Sequence, residues 1–154
     1  MFQKLIRTKD DLLPLVLRVT LGIVFFPHGA QKMLGWFGGP GFQGEIAALQ
    51  THLGIPPFLT VLVIIAEFFG ALGLISGLLT RLSAFGIGVV MAVAVFIAHI
   101  QHGFYMNWFG NQQGEGFEYH ILAIGIALVL MLRGGGLWSL DGFIWQKFKS
   151  NKVR

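Results

Sequence analysis

From Pro57 to Thr80 the chain reads PFLTVLVIIAEFFGALGLISGLLT, an apolar run whose only charged residue, Glu67, falls near its middle. As a helix rising 1.5 Å per residue, such a run spans the roughly 30 Å hydrocarbon core of a bilayer. Lipid cannot satisfy exposed backbone N–H and C=O groups, so a crossing segment of this kind has to be helical. Further apolar runs cover about residues 12–30, 82–100 and, shorter, 117–132. Across the 154 residues 55% are hydrophobic and 12% charged, against about a quarter charged in soluble domains. The sequence predicts an all-α membrane protein: one domain over residues 1–154, a bundle of four transmembrane helices.

Local signals set the ends of these spans. Pro14 sits in the first turn of span one, where a missing N–H costs least, and Pro27 should kink its far end. Pro56 and Pro57 open span two, and the short link at Thr80 and Arg81 makes spans two and three an antiparallel hairpin. In the loop after span one, Phe42, Ile46, Leu49 and Leu53 recur at helical spacing, as in a short amphipathic helix lying on the bilayer. The tail carries Phe143, Ile144, Trp145, Lys147 and Phe148, the composition of a C-terminal interfacial helix. The charged start, Met1 to Asp11, leads into a long apolar run with no small-residue cleavage site, so span one is read as a retained helix.

Of the eleven lysines and arginines, nine gather in the N-terminal segment, at Arg81, and in the tail from Arg133 to Arg154. By the positive-inside rule both termini and the Arg81 turn are expected in the cytoplasm, with the two longer loops outside a bacterial inner membrane. The basic residues flank apolar spans instead of lining an aromatic-bearing surface, which argues against nucleic acid as a partner. There is no cysteine, so the chain on its own has no disulfide, iron–sulfur or thiol chemistry.

Helices in lipid pack through small residues. Span two offers Ala66, Gly70, Gly73 and Gly77, the last two as a GxxxG pair; span three offers Ala84, Gly88 and Ala92.

Glu67, about ten residues into span two, is costly in hydrocarbon unless it finds a partner, water or a proton. His28, His52, His99, His102 and His120 all fall at outer span ends or in the first outer loop, joined by Glu118. Imidazole titrates near neutral pH and ligates transition metals, so the cluster reads as a metal site (His99, His102, Glu118, His120) or a proton relay beside a quinol pocket. The competing reading makes these histidines helix caps and headgroup contacts, and makes Glu67 an interhelical hydrogen bond. Glu118 and His120, two apart, cannot face one point on a regular helix. Arg18 is expected to snorkel, with Asp141 as its alternative partner, and Lys32 to bind an anion or headgroup. Trp36, Phe37, Tyr105, Trp108 and Phe109 form an outer aromatic belt that can also sandwich a quinone ring.

Four strings carry a family resemblance: FFPHGAQKMLGWFGG, AEFFGALGLISGLLTRLSA, HIQHGFYMNWFGNQQGEGFEYH and RGGGLWSLDG. On these the chain resembles the DoxX family from about Leu15 to Gly142. The resemblance implies a four-helix membrane protein tied to respiratory, sulfur or antioxidant redox chemistry through a partner oxidoreductase. Arg18, His28, Lys32, Glu67, Arg81, His99, Glu118 and Asp141 are the chargeable positions within those strings. Glu67, His99 and Glu118 are the catalytic candidates; His28, Lys32, His102, His120 and Trp108 are the candidates for holding a cofactor, a quinone or a transition metal. The competing functions are a proton-coupled carrier with Glu67 as its site, and a non-catalytic scaffold. A homo-oligomer is the alternative to a partner subunit.

Overall fold

In a computed structural model the chain is described over residues 2–152; Arg154, counted above in the charge asymmetry, lies outside them. The described residues form helices α1 (Phe2–Ile6), α2 (Leu12–Leu34), α3 (Gly41–Leu53), α4 (Pro57–Ser76), α5 (Thr80–Ala94), α6 (Glu118–Arg133) and α7 (Leu140–Lys152), and no strand. This is a helical membrane protein. Among the described residues three stretches are long and apolar enough to cross a bilayer: Leu12–Leu34, Pro57–Ser76 and Thr80–His102. Helix α6, with 16 residues, rises only about 24 Å and packs against α5 and α2.

The boundaries differ from the expected ones for local reasons. Helix α2 runs four residues past Ala30 and stops where Gly35 takes a left-handed φ of 72°. Helix α4 stops at Ser76, before the expected Thr80, because Gly77 (φ 69°) turns the chain and its N–H bonds back to Gly73 and Leu74 carbonyls. Gly77 is therefore a helix cap and does not pair with Gly73 on a packing face. Beyond Ala94 the third stretch continues as a π turn over Val95–His99 and a 3-10 turn over Ile100–His102.

The core joins Leu21 and Phe25 of α2, Ala71 and Leu74 of α4, Ala84, Ile87 and Met91 of α5, and Ala123, Ala127 and Leu130 of α6. Large apolar residues on the outer faces, such as Phe69, Phe85 and Leu122, are exposed, as lipid contact requires. Two glycines absent from the expected packing set bring α2 onto α4. A Cβ on Gly29 would lie 2.5 Å from Phe68 Cα, and one on Gly22 would lie 3.0 Å from the Ala71 carbonyl oxygen. Gly88 meets Ala127 across α5 and α6 as the small-residue pattern predicts.

The basic end of the bundle is closed by charged side chains on helix termini. Arg18 does not snorkel: it is 1% exposed, and its guanidinium donates to the carbonyls of Leu74, Ile75, Gly135, Leu137 and Trp138 at 2.6–3.1 Å. Nor does it bond to Asp141, whose carboxylate accepts Leu79 N and Thr80 N, both at 2.8 Å, and so caps α5. That cap holds Leu79 at φ 48°, a left-handed conformation that costs a leucine about 1 kcal/mol. Arg81 donates to the carbonyls of Met131 and Arg7. Each group has the sign its helix end favours, cations at carbonyl ends and a carboxylate at an amide end.

Candidate functional site

At the opposite end, Lys32 of α2 meets Glu67 of α4. Side chains on a helix lean toward its N-terminus, and α2 and α4 run antiparallel, so Lys32 leans into the bundle while Glu67 leans out toward it. The close approach at Gly29, one turn before Lys32, sets their register. Lys32 Nζ and Glu67 Oε2 are 2.5 Å apart, with side chains 20% and 5% exposed. The costly intramembrane carboxylate thus has its partner, and Lys32 is committed to it.

Helix α3 packs over this pair and adds Glu45, which is buried. Burial pushes the Glu45 carboxyl above the ordinary range; Lys32 opposes that shift and Glu67 adds to it. Two carboxyl groups therefore share the field of one ammonium, which is in contact with Glu67. Glu45 was not singled out from sequence, although it falls on the helix face of Phe42 and Leu49, where an acid has to be buried. His28, one turn before Lys32, lies within electrostatic reach of Lys32 and Glu67, its ring 6.3 Å from that of Phe25. Tyr119 of α6 stacks on Phe25 at 6.3 Å, also within reach of Glu67, and its hydroxyl is buried without a hydrogen-bond partner. Sequence reasoning passed over Tyr119 because an aromatic between Glu118 and His120 reads as packing.

The outer histidines divide. The rings of His99 and His120 stand 4.1 Å apart, and His120 Nδ1 is buried and unpartnered. His99 Nδ1 bonds the Glu115 carbonyl at 2.9 Å. His99 ends the π turn, whose extra residue turns its side chain relative to a regular helix. Glu118 instead anchors the loop before α6, accepting Met106 N at 2.9 Å and Trp108 Nε1 at 3.2 Å. The Trp108 ring is otherwise exposed, His102 lies in the loop beside Gln101, and His52 is exposed at the end of α3. Among the described residues no three His, Asp or Glu side chains are grouped to hold a metal ion. The set His99, His102, Glu118 and His120 is not assembled, for the reason the spacing of 118 and 120 suggests.

The DoxX family model matches residues 13–100, more than half the chain. The chain belongs to the DoxX family. Two DoxX-type relatives are similar over 139 residues, 90% of this chain. One, named "Putative oxidoreductase CatD", from Bacillus subtilis (strain 168), is 32% identical over 92% of its own length. The other, named "Inner membrane protein YqjF", from Escherichia coli (strain K12), is 27% identical over 97% of its length. No solved structure matches. The DoxX match takes in His28, Lys32, Glu45, Glu67 and His99, and ends before Tyr119 and His120.

Proposed function

We propose that this DoxX protein is a multi-pass bacterial inner-membrane subunit of a quinone-linked oxidoreductase system, and that its Lys32, Glu45 and Glu67 handle protons at a quinol-facing site. The observation that carries the reading is the buried Lys32–Glu67 pair with a second carboxyl, Glu45, in its field and an unpartnered Tyr119 hydroxyl beside it. The name of the Bacillus relative supports the oxidoreductase class, and that of the Escherichia relative supports the inner membrane. A quinone would supply the two-electron, two-proton couple that a chain without cysteine lacks. The residues present fit such a ring: Tyr119 OH and His120 Nδ1 are buried polar atoms free to bond carbonyl oxygens. Lys32 pairs with Glu67, and Glu45, already destabilised as an anion, takes up or releases the proton.

Electrons would come from a partner oxidoreductase subunit. Protein purified from its native membrane in mild detergent is expected to carry close to one quinone per chain, and Tyr119→Phe and Glu67→Gln to lower that at least tenfold. An empty wild-type protein would overturn the reading. The shared lysine also suits a proton-coupled carrier, in which case protein alone in liposomes would move protons or solute and Glu67→Gln would not.

A further inference from the structure

The basic end holds a cavity of about 700 Å³ ringed by Lys4, Arg7, Lys9, Arg81 and Arg133, with Asp11 the only acid among the described residues that line it. That is five cations against one carboxylate, an excess equal to the whole chain's formal charge of +4. At about 30 Å³ per water it is far larger than a single ion needs. Like charges brought together this way repel one another, so the fold gains by having an anion between them.

The walls are fixed, which separates this cavity from a loose cluster of surface lysines. Ile6 of α1 is fully buried and pins the N-terminal segment to the bundle. Gly136 N donates to Thr8 Oγ1 at 2.8 Å and Leu137 N to the Asp11 carbonyl at 3.0 Å, knitting residues 8–11 to the turn after α6. Arg81 reaches from α5 to the Arg7 carbonyl at 2.9 Å, while its Nε stays buried and unpartnered. Arg133 stands 3.5 Å from Asp11 in an exposed pair that an incoming anion can displace. Leu132 lines the cavity too and is 78% exposed, so an apolar lipid-facing surface adjoins the charged ring.

From this juxtaposition we infer that the cavity is a binding site for a phosphate-bearing anion, supplied by the headgroup of an anionic phospholipid whose acyl chains lie along Leu132. Guanidinium and ammonium groups around an aqueous pocket match phosphate oxygens, and the apolar exit matches the tails. Ligand that binds only the folded state raises the unfolding temperature.

The test is thermal unfolding of the full, delipidated chain in detergent, titrated with diphosphatidylglycerol, with phosphatidylcholine, or with inorganic phosphate. The expected result is a saturable rise with the anionic lipid and none with phosphatidylcholine. Lys4→Gln/Lys9→Gln/Arg133→Gln should weaken the apparent affinity at least tenfold, while Lys147→Gln/Lys149→Gln on α7, outside the cavity, should leave it within about twofold of wild type. If inorganic phosphate matches the lipid at equal phosphate, the site takes free phosphate and the lipid assignment is overturned. Equal losses in the two variants, or no saturable rise, would overturn the site itself. Phosphatidylcholine titrations of the triple variant show whether it is folded.

Discussion

Lys32 and Glu67 are both legible in the sequence as intramembrane or edge charges, yet their pairing is not, because it depends on the register that Gly29 imposes between two helices. A buried ion pair is costly to break singly and cheap to replace as a whole. Lys32→Met alone is expected to lower stability by about 3 kcal/mol, leaving Glu67 without its cation. Lys32→Met/Glu67→Leu should recover most of that loss in an unfolding titration; a double variant as unstable as the single one would mean that Glu67 is not the partner that matters. Glu45 makes a separate prediction. Its pKa is raised in the folded state, so the folded form holds the proton more tightly than the unfolded chain. The resulting stability is present below the ordinary carboxyl range and is lost as pH rises through the raised value. Thermal unfolding followed from about pH 4 to about pH 8 should therefore show a decline in wild type that is flattened in Glu45→Gln. An unchanged slope in the variant would remove Glu45 from the site.

At the scale of the elements, apolar runs and proline positions gave the helices, while the ends moved wherever a glycine took a positive φ, as at Gly35 and Gly77. Arg18 escaped the snorkelling rule because its partners are backbone carbonyls at the end of α4 and in the turn at 135–138, which no residue pattern advertises. The π turn is equally silent in sequence, since VFIAH carries no breaker. It has a measurable consequence. Deleting Phe96 should restore a regular helix and rotate His99 by roughly 100° away from His120. In this cysteine-free chain, His99→Cys/His120→Cys should be joined by a short thiol crosslinker, and the added deletion should abolish the joining. Crosslinking that survives the deletion would show that the π turn does not set the pairing.

For the whole molecule, the membrane class was legible because it follows from apolar length, whereas the number of crossings turns on α6, which is shorter than a typical hydrocarbon core. We propose from its surroundings that it crosses. The loop before α6 folds back on the end of the third stretch, with Phe117 N on Gly103 O and Glu118 N on Phe104 O. The far end of α6 is tied to the start of α5 through Arg81 and the Met131 carbonyl. Helices α5 and α6 therefore cover the same depth in opposite directions, and α6 returns the chain to the Arg81 side. A helix a few ångströms short costs only fractions of a kcal/mol per ångström, met by local thinning of the bilayer. With both terminal helices on the Arg81 side, we propose from the charge asymmetry that this side faces the cytoplasm. Single cysteines are again clean reporters: Gln112→Cys should react with an impermeant thiol label on intact cells, and Ser150→Cys only after permeabilisation. Labelling of both in intact cells would mean that α6 lies outside the bilayer core and that the C-terminal helix faces the same compartment as the loop before it.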